Sequence, residues 1–267
     1  MKGAILCYIN TLGLIKFHLH LTQLFFFQSE TLSTALIKLQ TTLFTPQIAL
    51  VTGNIGTGKT ILTNAFINNL DPAEIKLIMT PVAKPSPRSI FKNIAARAGL
   101  PPLMYGDDIK LQLISHFDEI RSQGKFVLVI LDECHTFSVD VLDQLKTFFD
   151  SKRNFSLILV GQPQITKTLR LSALLPLKQR ISVFVSTSTL SLKETKDYIE
   201  FRLKEAGSST PVFDEATFPI IHQYSEGIYR MIDQLCFQAL SIAYMGKSNI
   251  ITAGTIESAY KSLDYDF

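Results

Sequence analysis

The chain of 267 residues is long enough for one large α/β domain with a smaller companion, and for a substantial buried core. With 46% hydrophobic and 18% charged residues it is not a disordered or highly solvated protein, and a formal net charge of +3 neither establishes nor opposes a nucleic-acid partner. Cys7, Cys134 and Cys236 lie far apart without C-x-x-C or Cys/His metal spacing, which predicts reduced, buried cysteines of a cytoplasmic protein.

Residues 1–30 differ in character from the rest of the chain. Gly3 to Ile15 is largely apolar behind Lys2, and Leu24 to Phe27 adds a second apolar run. The first run falls short of the roughly 18 residues that suggest a membrane span, Asn10 and Thr11 interrupt it, and no small-residue cleavage pattern comes after it. The pattern predicts no integral span, and a segment that packs on the core or on a neighbouring subunit.

Gln47 to Thr52 is a short apolar, partly β-branched run, as in a buried parallel strand, and Ile61 to Leu70 carries apolar residues at helical spacing. Between them, Gly53-Asn54-Ile55-Gly56-Thr57-Gly58-Lys59-Thr60 is a complete G-x-x-x-x-G-K-T loop. Its glycines let backbone N–H groups turn around phosphates, Lys59 can reach the β- and γ-phosphates, and the Thr60 hydroxyl can ligand Mg²⁺. The helix that opens at Ile61 presents its N-terminus to the anion, so the chain is expected to bind a nucleoside triphosphate.

Ile75 to Thr80 reads as a second strand, followed by a proline-rich loop from Pro81 to Pro87. Ser89 to Ala98 and Asp107 to Gln123 are predicted helices stopped by Gly99 and Gly124. Phe126 to Leu131 is the most strongly apolar strand, and Asp132 and Glu133 stand at its carboxyl end. Asp132 can hold Mg²⁺ through water, while Glu133 can orient and deprotonate the attacking water. Cys134 and His135 extend the pair to D-E-C-H, with His135 expected to pack behind the site or support it.

A helix over Val139 to Phe149 precedes a strand over Phe155 to Val160, after which Gln162 emerges beside Glu133. Gln162 either contacts the γ-phosphate or lytic water, or is an ordinary loop glutamine. Lys178-Gln179-Arg180 leads into a fifth strand, Ile181 to Val185. Arg180 is either a finger on a neighbouring subunit's nucleotide or part of a surface salt bridge. Five apolar strands separated by helices predict a three-layer α/β domain, residues 31–188, with a mostly parallel sheet.

From Ser191 strands disappear. Ser191-Leu192-Lys193-Glu194 has the form of a capping box and opens a helix to about Ala206, stopped by Gly207. Asp214 to Tyr224, Ile228 to Tyr244 and Thr252 to Leu263 supply three more, so residues 189–267 are expected to form an all-helical lid. Arg230, just after Gly227, either folds onto the phosphates as a sensor or is an exposed helix cation.

The phosphate loop, Leu131-Asp132-Glu133, the run from Leu157 to Gln164 with its V-G-Q-P, Lys178-Gln179-Arg180-Ile181, and Ser225 to Ile232 occur in the same order as in AAA+ ATPases of the ExeA/GspA-like group. From about Phe17 to Tyr260 the chain resembles that group. The resemblance implies a P-loop sheet ordered 5-1-4-3-2, ATP and Mg²⁺ where the α/β domain meets the lid, and activity in oligomers. Two departures stand out. Tyr229 occupies the proline position of the group's G-I-P-R, which predicts a less rigidly placed Arg230, and His18 replaces a proline ahead of Phe25 to Glu30, which predicts a looser entry into the fold.

One branch of this group resembles secretion and pilus assembly ATPases associated with the inner membrane, many with a span and a cell-wall-binding domain after the lid. The other resembles TnsC-type DNA-transposition helpers, which act as oligomers with duplex DNA and a transposase. The chain ends at Phe267 with no such domain, which tilts the expectation to the second branch. Lys84, Arg88, Lys92 and Arg97 are either a surface for DNA backbone or a solvated loop and helix face.

Overall fold

A computed structural model describes residues 27, 29–81, 84–208 and 210–263. The expectations for the apolar N-terminal segment, including His18 and Cys7, therefore lie outside the described residues, which begin with Phe27 and Ser29.

Among these residues five strands form one parallel sheet, ordered β2-β3-β4-β1-β5, the predicted 5-1-4-3-2 read from the other edge. The strands are β1 (Ile48–Thr52), β2 (Ile75–Pro81), β3 (Phe126–Asp132), β4 (Phe155–Gly161) and β5 (Ile181–Ser186). Every residue of β1 and β4 is buried because each has a strand on both sides and apolar side chains on both faces. At the edge, β5 alternates instead, with Val183 and Val185 inward and Ser182, Phe184 and Ser186 exposed.

The connecting helices are α1 (Glu30–Gln40), α2 (Lys59–Asn68), α3 (Pro87–Ala98), α4 (Gly106–Ser122), α5 (Val139–Lys152), α6 (Gln164–Thr168) and α7 (Leu175–Arg180). Ile48, Leu50, Val127, Val129, Leu157 and Leu159 share a core with apolar residues of α3, α4 and α5. Phe148 locks these layers together, its ring 5.1 Å from Phe91, 6.1 Å from Phe117 and 5.0 Å from Phe155. Helix ends obey local chemistry. Ser86 caps α3 ahead of Pro87, and Gly99 ends that helix at φ 85°.

The chain divides into two compact units. One spans Glu30–Ile55 and Leu62–Thr187 and contains the sheet; the other contains Gly56–Ile61 and the segment from Ser188, with Phe27 and Ser29. Its helices are α8 (Leu192–Glu205), α9 (Thr217–Ser225), α10 (Tyr229–Met245) and α11 (Ala253–Ser262). The predicted capping box opens α8: Ser191 Oγ accepts from the Glu194 N–H at 3.3 Å, and Glu194 Oε2 accepts from the Ser191 N–H at 3.0 Å. Within this unit Tyr198 donates to Asp233 at 3.0 Å and accepts from Arg202 at 3.1 Å, so three buried polar side chains satisfy one another. Cys134 and Cys236 are both buried and outside any disulfide, and burial, aided by the Asp233 charge, pushes the Cys236 thiol well above its ordinary pKa.

Candidate functional site

Parallel strands deliver their carboxyl ends to one edge of a sheet, and the register here decides which ends are neighbours. Thr52 of β1 pairs with Gly161 of β4, and Leu131 of β3 pairs with Leu159 of β4. The next residues at that edge are Gly53, Gln162 and the Asp132-Glu133 pair, carried by three adjacent strands about 4.8 Å apart. Gln162, half-buried, therefore emerges between the start of the phosphate loop and the two carboxylates.

A tight turn fixes the backbone that carries the two carboxylates. The Glu133 N–H donates to Asp132 Oδ1 at 2.7 Å, and Glu133 adopts φ 59°. The Glu133 carbonyl then accepts from the Thr136 N–H and the Thr136 hydroxyl, both at 2.9 Å, closing a 3-10 turn over Cys134–Thr136. Gly161 is the partner this turn requires. A Cβ at 161 would lie 2.7 Å from Cys134 Sγ and 3.0 Å from the His135 nitrogen, so β4 passes too close for any side chain. Gly161→Ala should displace the Asp132-Glu133 turn, destabilise the protein by about 1–3 kcal/mol and lower turnover; unfolding in urea and phosphate release would read the two effects.

Along the phosphate loop Gly53, Thr57 and Gly58 are buried, Gly56 is half-buried, and Asn54 and Ile55 are exposed. Gly56 and Gly58 adopt φ 78° and 92°, left-handed conformations of the kind that loops of successive N–H groups use to bind anions. Lys59 and Thr60 are the first residues of α2, with Ile61 behind them, so both side chains stand at the positive end of the helix dipole. The same loop segment meets the start of α10. A Cβ on Gly56 would lie 2.7 Å from Ile228 Cγ2 and 3.2 Å from Arg230 Cβ, which places exposed Arg230 beside the loop.

A family model for an AAA domain matches residues 41–169. Over 222 residues the chain is 32% identical to General secretion pathway protein A of Aeromonas hydrophila, a match covering 79% of this chain and 39% of that protein. The chain carries an AAA domain. It is also 28% identical over 154 residues to an uncharacterized HTH-type transcriptional regulator of Methanocaldococcus jannaschii, covering 55% of this chain and 37% of that protein. It thus spans about two fifths of the length of the curated relatives it matches. Among solved structures, Cdc6p from Pyrobaculum aerophilum aligns with a TM-score of 0.72 at 16% identity, over 94% of this chain and 71% of that one. The Aeropyrum pernix ORC1 protein in complex with DNA aligns at 0.67 with 17% identity, over 95% of this chain and 70% of that one. At such identities the likeness is one of fold.

Within this AAA+ fold Tyr229 is not a loose substitute for proline. It is 3% exposed, its Cε2 would sit 3.2 Å from a Cβ on Gly58, and its ring meets Tyr198 edge-on at 5.0 Å. Its hydroxyl shares a hydrogen bond with Ser29, and burial pushes the phenol pKa up to about 12. An aromatic wedge thus anchors the residue before Arg230. Sequence reading missed this role because only tertiary contact reveals it.

Arg180 lies elsewhere. It immediately precedes β5, whose Ile181 pairs with Ile48 at the amino edge of the sheet. The phosphate loop leaves the opposite edge, on the order of 15 Å away along β1. Arg180 Nε donates to Asp150 Oδ1 at 3.0 Å, and Arg153 donates to the same oxygen at 3.2 Å. Burial pushes the Asp150 carboxyl up, but its hydrogen bonds and charge contacts with Arg180 and Arg153 outweigh that and hold it below the usual range. Lys84, Arg88, Lys92 and Arg97 are all exposed, with Arg88 and Lys92 one turn apart on α3.

Proposed function

We propose that this AAA+ protein binds ATP with Mg²⁺ and hydrolyses it to drive an oligomeric switch acting on a macromolecular partner. The observation that carries the reading is the adjacency of Gly53, where the glycine-rich loop starts, Gln162 and Asp132-Glu133 at one sheet edge. Residues 31–188 would be the ATPase domain and 189–267 its lid. Residues Gly53 to Ile61 bind the phosphates: loop N–H groups and the helix dipole surround the β-phosphate, and Lys59 neutralises charge toward the γ-phosphate. Thr60 and Asp132 offer the hydroxyl and carboxylate oxygens that Mg²⁺ prefers. Held by Thr60 and Asp132, Mg²⁺ would supply positive charge to offset the negative charge of the phosphates.

Glu133 accepts a proton from the attacking water while Gln162 orients that water or the γ-phosphate. Arg230 reports nucleotide state from the start of α10. Arg180, at the opposite edge from its own loop, serves a neighbouring subunit's nucleotide, which makes the oligomer the active form. Lys59→Ala should weaken binding of a fluorescent ATP analogue at least about tenfold. A wild-type protein that binds no analogue, or an unchanged Lys59→Ala affinity, would remove the reading.

For the partner, the exposed basic residues Lys84, Arg88, Lys92 and Arg97 support duplex DNA, in the manner of a transposition helper working with a transposase. The 32% identity to General secretion pathway protein A supports a second reading, a secretion or pilus assembly ATPase. ATP-dependent co-sedimentation with duplex DNA that weakens steeply with salt selects the first; no DNA binding at low salt selects the second. Either reading places the chain in the cytoplasm, where ATP is supplied. Among the described residues no helix is long and apolar enough to cross a membrane.

A further inference from the structure

We propose that His135 is a positioning residue for hydrolysis, holding the Glu133 carboxylate through its Nδ1 nitrogen; this rests on Glu133 being the base. His135 Nδ1 lies 3.4 Å from Glu133 Oε2, with the two side chains 15% and 50% exposed. That nitrogen is buried and has no hydrogen-bond partner, because the approach to Glu133 is close without being aligned. A buried polar atom without a partner is destabilising, and the Glu133 carboxylate can satisfy it by a small side-chain rotation.

The two partners differ in freedom, and the difference sets the direction of control. His135 sits inside the 3-10 turn over Cys134–Thr136, with the Lys84 N–H bonded to Thr136 Oγ1 at 3.0 Å and Gly161 packed against its own backbone nitrogen. Glu133 has a half-exposed side chain above that fixed turn. The imidazole is therefore the anchor and the carboxylate the moving arm. A neutral ring protonated at Nδ1 donates to Oε2, so no change of charge is needed, and the other carboxylate oxygen is left to accept the proton of the attacking water. The effect falls on orientation of the base and leaves phosphate binding untouched.

His135→Phe keeps a ring of similar size without the donor, and His135→Asn restores an N–H near the Nδ1 position. In steady-state ATP hydrolysis, His135→Phe should lower kcat about 10-fold or more, in the range seen when supporting hydrogen bonds of a site are removed. KM and the affinity for a fluorescent ATP analogue should stay within about twofold, the split expected of a group that acts on chemistry alone. His135→Asn should recover most of kcat. In a Glu133→Gln background His135→Phe should cost nothing further, since the two act as one unit. A wild-type kcat in His135→Phe overturns the proposal, as do equal losses in the Phe and Asn variants, which would mean that the ring only packs. Retained turnover in Glu133→Gln alone would instead overturn the assignment of Glu133, whatever His135 does.

Discussion

Replacing Glu133 with Gln is expected to leave ATP binding unchanged while lowering steady-state turnover by about 10²- to 10⁴-fold, the contribution of a positioned general base. The substitution isolates one property. The amide has the size of the carboxylate, and the φ of 59° and the bond from the Glu133 N–H to Asp132 Oδ1 belong to the backbone, so the turn survives. Only the ability to accept a proton from water is lost. The loop from Gly53 to Thr60 is untouched, so titration with a fluorescent ATP analogue should give the wild-type affinity, and phosphate release should be nearly absent. Substantial phosphate release by Glu133→Gln would show that another group activates the water.

The parts of this site that are contiguous in the chain were readable without coordinates. The phosphate loop and the Asp132-Glu133 pair are short runs whose chemistry is local, and the central strands announce themselves as unbroken apolar runs because both faces are buried. For the same reason their predicted ends fall within a residue or so of those observed. Helix α1 was not anticipated, although Leu32, Ala35 and Leu39 carry a buried stripe. Helices α6 and α7 were missed because 5 and 6 residues are too few to show a period. The partners of Gly161 and Arg180 were invisible. Nothing near Gly161 in sequence shows that Cys134 passes against it, and nothing near Arg180 shows that Asp150 holds it.

Gly227→Ala should have the largest effect on stability, about 3–5 kcal/mol, because two independent penalties meet there. Gly227 adopts φ 70°, and forcing a side chain into that region costs on the order of 1–2 kcal/mol. The new Cβ would also lie within hard contact of Leu190 backbone, 2.9 Å from its nitrogen and 3.0 Å from its carbonyl carbon. A backbone neighbour cannot rotate aside as the tip of a long side chain would. Leu190 must move bodily, breaking the bond its N–H donates to the Gly227 carbonyl at 2.9 Å, worth about 1 kcal/mol. The disturbance then reaches nucleotide binding, since α10 begins at Tyr229, whose ring packs on Gly58, and Arg230 comes next, beside Gly56. Urea unfolding should therefore show a lowered midpoint, and analogue titration at low urea a weakened affinity in the fraction still folded. An unchanged midpoint would mean that Leu190 yields freely, and that the contact between α10 and the phosphate loop does not depend on the Gly227 turn.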